Sequence, residues 1–157
     1  MFEYIHKVGK FTERNTCIDS YFFDFKDEST AFSSVLIENQ AKFVAEKVAK
    51  VTKEREYTDI NLVTHSLGSY VAYKAMDLEL FPVNHLKNVI SLASPNIEAP
   101  HQITADLTDT LIEIRNQTLP DHVAYFHFDG GVRDFFVGQA SAKPIVLSPT
   151  SVIFKTE

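Results

Sequence analysis

A serine between two differently patterned runs is the first feature of this sequence that could support nucleophilic chemistry. Ser66 follows a short apolar run at residues 60–64 and precedes an amphipathic, helix-like run at residues 69–80. A serine on a sharp strand-to-helix turn holds its hydroxyl above the sheet, and the next backbone amide, here that of Leu67, can stabilise an oxyanion. The pattern therefore predicts a nucleophile elbow at Ser66, with Leu67 contributing to the oxyanion hole.

The residues around Ser66 match the Gly-x-Ser-x-Gly elbow motif only at its second glycine. Gly68 is predicted to remove a side chain where the helix passes close to neighbouring strands, whereas Thr64 places a β-branched side chain at the first glycine position. Turns of this kind store about 1–3 kcal/mol of strain. Taken alone, the motif is more typical of a helix N-cap serine followed by a glycine. The order of strand, turn and helix favours the elbow.

The elements that must position Ser66 alternate along the chain. Residues 1–20 carry mixed charge and are predicted to be a loosely held lead-in rather than a strand. The predicted strands are residues 21–25, 60–64, 88–93 and 123–128, and the predicted helices are residues 33–56, 69–80 and 103–114. The predicted helix faces include Val35, Val44 and Val48, then Val71, Ala75 and Leu78, and finally Leu107, Leu111 and Ile114.

Such alternation predicts one α/β domain over residues 1–157, with a mostly parallel sheet and helices on both faces. In sheets of this kind the chemistry lies beyond the carboxyl ends of the strands. The candidate segments are therefore residues 24–28, Ser66, residues 94–101 and residues 129–134.

The composition limits the classes of function. A length of 157 residues with 45% hydrophobic content suffices for one domain with a buried core. The net charge of −6 argues against nucleic acid and against electrostatic attachment to anionic lipid, so neutral or amphiphilic partners fit better. A single cysteine, Cys17, allows no internal disulfide, and no spacing of histidine, cysteine and carboxylate residues predicts a metal or cofactor site. No stretch approaches the ~20 consecutive apolar residues of a membrane-spanning helix.

Four blocks of the sequence carry a family resemblance. They are residues 21–25 with Glu28, Ala31, Phe32 and Gln40 following, residues 63–68, residues 90–95, and residues 130–137. In this order they resemble successive blocks of the GPI inositol-deacylase family, from about Tyr21 to Phe154. The resemblance implies an enzyme with an α/β-hydrolase fold. It also implies that this enzyme is anchored in the endoplasmic reticulum membrane and removes the acyl chain from the inositol of GPI anchors. It further implies a GPI lipid or GPI-anchored protein as substrate, and membrane association through parts absent from this chain.

The resemblance also assigns roles to site residues. It makes Ser66 the nucleophile and Asp134, in the Gly-Gly-x-Arg-Asp block, the acid that orients a histidine; Asp129 is a weaker candidate. Without the block match, Asp134 after Gly130 and Gly131 is more typical of a turn former. Hydrolases of this fold order their triad Ser, Asp, His, and no histidine follows Asp134. We therefore expect the chain to be a fragment of the catalytic domain that lacks the catalytic histidine and has little activity alone.

The sequence departs from the family pattern around the elbow and after the third block. Thr64 and Ser69 replace the outer glycines of the elbow, and Asn96 stands where the family has a histidine. His101 lies a few residues further on, but we expect it not to be the base, because it precedes Asp134. The remaining histidines are predicted to be a packing residue (His65), a satisfied core residue (His127) and solvated residues (His6, His85 and His122).

Two alternative functions remain open from the sequence. One is another lipid-ester hydrolase of the same fold, such as a lipase or a depalmitoylating thioesterase, which would not show the blocks at residues 21–25 and 130–137 together. The other is a non-catalytic, truncated hydrolase homologue that packs against a membrane or protein partner. The altered elbow favours this second alternative.

Overall fold

The computed structural model describes residues 4–13, 16–25, 33–95, 105–117, 119–129 and 152–155. These residues form β1 (Tyr4–Glu13), β2 (Thr16–Asp24), α1 (Ser34–Arg55), β3 (Ile60–His65), α2 (Gly68–Met76), β4 (Leu86–Leu92), α3 (Ala105–Arg115), β5 (Ala124–Asp129) and β6 (Val152–Lys155), with a short 3₁₀ turn at Val83–His85.

The central sheet has the order β3-β4-β5-β6, and each neighbouring pair of strands is parallel. Strands and helices alternate along most of the chain, because the connection between two adjacent parallel strands has to return over the sheet. This arrangement confirms the predicted α/β fold class with a parallel sheet and helices. The fourth strand, β6, was not among the strands that the sequence pattern predicts.

One face of the sheet shares its core with the helices. Leu62, Val89 and Tyr125 stand in register on neighbouring strands and belong to the same hydrophobic cluster as the buried faces of α1, α2 and α3. On the opposite face, Val63 of β3 is 65% exposed and pairs with the half-buried Ile90. The face that packs against the helices therefore contributes the main buried area.

The first part of the chain corrects two sequence predictions. Most of residues 1–20, predicted to be a loose lead-in, belong to strands β1 and β2, which pair antiparallel. The predicted strand at residues 21–25 forms the end of β2 in this hairpin rather than a strand of the parallel sheet. Mixed charge did not prevent strand formation, because the hydrogen bonds of an antiparallel ladder join backbone groups, which charged and apolar residues carry alike.

The hairpin contacts the helical layer through aromatic side chains of β2. The Phe23 ring meets that of Phe43 on α1 edge to face, with 6.3 Å between the centroids. The Tyr21 hydroxyl lies 2.9 Å from that of Tyr57, which also donates a hydrogen bond to Asp19. Alternate residues of β2 thus point toward the body of the protein, while Phe22 is 60% exposed.

The helices follow the predicted ranges, with differences at their ends. In α1, Val44 and Val48 are buried as predicted, but Val35 in the first turn is 59% exposed. Helix α2 ends at Met76 rather than near residue 80. The chain turns there, with the Phe81 amide bonded to the Leu78 carbonyl at 2.8 Å, and the following proline restricts the residue before it to non-helical conformations.

The predicted inward faces of the other two helices are confirmed where the structure describes them. Val71 and Ala75 of α2 are buried, and Leu78 just beyond it packs against the same core. Leu107 and Ile114 of α3 are fully buried, whereas the side chain of Leu111 lies outside the described part.

Candidate active site

Ser66 occupies a left-handed backbone conformation between β3 and α2. Its φ is +49°, and the helix begins two residues later at Gly68. For a residue with a side chain, the left-handed region costs roughly 1–2 kcal/mol, and such strain is common where a structure aims a functional group. The strand, turn and helix therefore occur in the predicted order, with the strain concentrated at the serine.

Backbone hydrogen bonds hold the Ser66 turn on both sides. The Ser66 amide donates to the Leu92 carbonyl at 2.9 Å, which joins the turn to the end of β4. The Ser66 carbonyl accepts bonds from the Ser69 amide at 3.1 Å and from the Ser69 hydroxyl at 2.8 Å. Ser69, which replaces a glycine of the family pattern, is fully buried and uses its hydroxyl to fix the carbonyl of the candidate nucleophile.

Leu67, whose amide is the predicted oxyanion donor, follows Ser66 directly in the turn. Leu67 is the N-cap residue of α2. The first amides of a helix have no hydrogen-bond partner within it, and the positive end of the helix dipole lies there. Within the described residues, neither the Leu67 amide nor the Ser66 hydroxyl has a hydrogen-bond partner. A hydrogen bond from either group to a ligand would therefore displace no contact within this part of the chain.

The two residues at the motif's glycine positions differ from their predicted roles. A Cβ atom added to Gly68 would meet nothing within 4 Å, so the prediction that Gly68 relieves a close approach to the strands is wrong. Thr64 is 8% exposed, and its hydroxyl points to the Ile90 carbonyl at 3.5 Å. Its β-branched side chain is therefore accommodated beside β4, within the strand and before the strained residue.

The ends of the parallel strands bring three segments to one edge of the sheet. His65, Leu92, Phe128 and Phe154 stand in register on adjacent strands, so that Ser66 and Ala93 come next at the same edge as Asp129. Two inter-strand spacings of ~5 Å place the Asp129 backbone about 10 Å from the Ser66 turn. The described residues therefore bring together Ser66, Leu67 and the backbone of Asp129. Asp134, Asn96 and His101 lie outside them.

The histidines of the described residues divide between the core and the surface. His127 is fully buried, as predicted, and its ring stacks on that of Tyr125 with 6.3 Å between centroids. His65 is exposed, so its prediction as a packing residue is wrong: strand alternation puts it on the same face as the exposed Val63.

His85 and His122 lie at the other end of the sheet from Ser66. The His85 ring contacts the Thr58 carbonyl at 3.2 Å and the His122 ring contacts the Val83 carbonyl at 3.3 Å; both carbonyls precede the amino ends of strands. His122 is exposed, in agreement with its prediction, and His85 is half-buried. The side chain of His6 lies outside the described part.

A group of buried polar side chains beside the site was missed by the sequence reasoning. The Ser91 and Ser94 hydroxyls are 2.6 Å apart and both serines are fully buried. The hydroxyl of the buried Tyr70 donates to the Pro95 carbonyl at 2.6 Å. The available signal was the alternation of β4, which puts Ser91 on the same face as the core residue Val89.

A model of the PGAP1-like alpha/beta domain family matches residues 3–151 of this chain. The chain belongs to that family. The match covers the strands β1 to β5, including the turn from β3 into α2, and ends just before β6, so the family's domain accounts for nearly the whole sequence. The GPI inositol-deacylase resemblance carried by the four sequence blocks is thereby confirmed.

Relatives with established names agree with this assignment. The chain is 28% identical over 147 residues to the GPI inositol-deacylase of Cryptococcus neoformans var. neoformans serotype D (strain B-3501A), covering 84% of this chain and 18% of that protein. It is 24% identical over 157 residues to the GPI inositol-deacylase of Aspergillus oryzae, covering 84% of this chain and 14% of that protein.

A third relative is the GPI inositol-deacylase of Emericella nidulans. The chain is 25% identical to it over 145 residues, covering 76% of this chain and 13% of that protein. The chain thus spans less than a fifth of the length of each of these relatives. None of the helices that the structure describes combines the length and apolar character needed to cross a bilayer.

Proposed function

We propose that this chain carries the nucleophile of a serine-dependent carboxylic ester hydrolase, and that the nucleophile is Ser66. The observation that supports this most directly is the φ of +49° at Ser66, in a turn between a parallel strand and a helix. Strain at this residue has a cost that an ordinary N-cap serine does not require, because N-cap residues adopt the extended region.

The proposed chemistry is acyl transfer in two steps. The Ser66 hydroxyl oxygen attacks an ester carbonyl while a general base removes its proton, and the Leu67 amide stabilises the oxyanion. The alcohol leaves with a proton, and water then attacks the acyl-enzyme to release a carboxylic acid and restore the serine. Asp134 is proposed as the acid that orients the histidine base. That histidine would come from a part of the protein outside residues 1–157.

The proposed substrate is an acylated inositol of a GPI anchor, free or attached to a protein. It is supported by the family match and by the names of the relatives, which are GPI inositol-deacylases. The alcohol that leaves is then the inositol hydroxyl, and the acid released is a fatty acid. With this substrate, we propose that the protein acts at the endoplasmic reticulum membrane and associates with it through segments outside this chain.

The test is a Ser66→Ala substitution in a full-length version of the protein. We expect fatty acid release from acylated GPI lipid, measured by mass spectrometry, to fall by about 10⁶-fold while expression is retained, because loss of the serine removes the covalent route. The matched control is Ser20→Ala, which removes an exposed hydroxyl on the hairpin and should leave the rate unchanged. Undiminished release by the Ser66→Ala protein would overturn the proposal.

A further inference from the structure

We propose that Tyr70 is a positioning residue for Ser66, acting through the turn that ends β4. This inference rests on the proposed role of Ser66 as a nucleophile. Tyr70 lies in the first turn of α2, four residues after Ser66, and does not face the reacting atoms: it is fully buried and its hydroxyl points to Pro95. Its effect on Ser66 is exerted through a closed circuit of hydrogen bonds.

The first part of the circuit joins the two strand ends. The Leu92 carbonyl accepts a bond from the Ser66 amide at 2.9 Å and a longer contact from the Ser94 hydroxyl at 3.4 Å. The position of Leu92 at the end of β4 therefore determines where the backbone of Ser66 is held. Any shift of the residues after Leu92 is transmitted to the strained serine.

The second part fixes the residues after Leu92. Ala93 has a φ of +46°, and its amide donates to the Phe128 carbonyl at 2.8 Å. The next residue, Ser94, is buried with its hydroxyl 2.6 Å from that of Ser91. The chain at the end of β4 thus depends on buried polar contacts, since its backbone leaves the strand in a strained conformation.

Tyr70 closes the circuit. Its hydroxyl donates to the Pro95 carbonyl at 2.6 Å, and its amide donates to the Leu67 carbonyl at 3.0 Å. Burial raises the pKa of the Tyr70 hydroxyl above its ordinary value, so the group remains a proton donor throughout the physiological range. The residue beyond the β4 turn is thereby tied to the helix that begins directly after the Ser66 turn.

Helix α2 contains a matched control for this role. Tyr73 is also buried, and its ring packs against that of Tyr125 on β5, with 6.4 Å between the centroids. Replacing either tyrosine by phenylalanine keeps the ring and removes one buried hydroxyl. Tyr70→Phe leaves the Pro95 carbonyl without its donor, and a buried group deprived of its partner is costly. Tyr73→Phe leaves that carbonyl bonded.

The experiment compares Tyr70→Phe with Tyr73→Phe in the full-length protein by amide hydrogen exchange. In Tyr70→Phe we expect the Ser66 and Ala93 amides to exchange about 10-fold faster relative to the Leu62 and Val89 amides of the adjoining strands. In Tyr73→Phe these ratios should remain at the wild-type value. A general loss of stability would accelerate all four amides together, so the ratio separates positioning from a merely structural role.

The same proteins are then treated with an alkyl fluorophosphonate, which reacts with activated serines. We expect Tyr70→Phe to lower the limiting inactivation rate about 10-fold with an unchanged half-saturating concentration, since misplacing the nucleophile slows the reaction without affecting binding. Unchanged exchange ratios in Tyr70→Phe, or equal changes in Tyr73→Phe, would overturn the positioning role. Failure of the wild-type protein to react contradicts the proposed function instead, and the exchange ratios still decide the role of Tyr70.

Discussion

Two turns at the same edge of the sheet share a backbone conformation but lead into different structures. Ser66 after β3 and Ala93 after β4 have φ values of +49° and +46°. The amide of each donates to a carbonyl of the next strand, at 2.9 Å to Leu92 and at 2.8 Å to Phe128. At the level of the backbone, the second turn repeats the first one strand further along.

The continuation of each turn decides what it can do. After Ser66 the chain enters α2 within two residues, and Ser66 is only partly buried. After Ala93 the chain runs into the fully buried Ser94 and then Pro95, whose carbonyl is bonded to Tyr70. The first turn therefore has a hydroxyl and an amide without hydrogen-bond partners among the described residues, while the second is followed by buried contacts. Backbone strain alone does not define a site; it does so where unpaired groups accompany it.

The largest difference in reactivity between the two turns is expected when a glycine replaces the strained residue of each. Ser66→Gly and Ala93→Gly both keep a residue that tolerates positive φ, but only the first removes a hydroxyl. We expect fluorophosphonate labelling to be abolished in Ser66→Gly, by at least ~10³-fold, and to stay within about 3-fold of wild type in Ala93→Gly. Labelling would be measured by intact mass in the full-length protein. Loss of labelling in both variants would contradict the prediction that only the first turn supplies the reactive hydroxyl.

A smaller effect is expected when a β-branched residue is placed in the second turn. Ala93→Val should lower the free energy of unfolding by about 2 kcal/mol, because branching at Cβ conflicts with the left-handed region. The control is Ala124→Val in β5, where extended backbone suits valine and the change should stay below about 0.5 kcal/mol. Urea unfolding measures both. Equal losses at the two positions would argue that packing, rather than φ, limits Ala93.

The smallest effect concerns Gly68, which stands two residues after Ser66 as Pro95 stands two residues after Ala93. A methyl group on Gly68 would meet nothing within 4 Å. Gly68→Ala should therefore raise the free energy of unfolding by about 0.5 kcal/mol, by restricting the unfolded chain, and leave fluorophosphonate labelling within about 2-fold.

Ala72→Gly on the same helix serves as the comparison for Gly68→Ala. It should lower the free energy of unfolding by about 1 kcal/mol or more, since glycine is a poor helix former. Thermal or urea unfolding of both variants measures the sign of each change in the free energy of unfolding. A destabilising Gly68→Ala substitution would mean that Gly68 does relieve a close approach.

The comparison of the turns also shows what sequence reasoning could predict at this edge of the sheet. Ser66 was predicted because a nucleophilic side chain, a small residue nearby and a change of periodicity coincide there. Ala93 carries no signal of its own, because nothing in an alanine indicates a positive φ. Tyr70, Ser91 and Ser94 were missed for a related reason: their hydrogen bonds depend on the folded arrangement, and Tyr70 bonds to a residue 25 positions away.

The elements of the fold likewise include some that the sequence predicted and some that it did not. The strands β3, β4 and β5 and the three described helices were predicted because their apolar residues recur at the period of the element. Of the hairpin only the end of β2 was predicted, as a strand at residues 21–25. Its pairing with β1 was not, because pairing depends on two strands together rather than on the pattern of either one. The four residues of β6 are too few for periodicity to distinguish a strand from a loop.

By itself the sequence determined the fold class and the family, and it predicted Ser66 as the nucleophile. These depend on local periodicity and on the order of short motifs, which are properties of the chain before it folds. Only the tertiary structure decided that β2 pairs with β1, that His65 is exposed and His127 buried, and that Ser66 is held by the end of β4. Each of these depends on which elements become neighbours, and that choice is made by the burial of many side chains together rather than by any one segment.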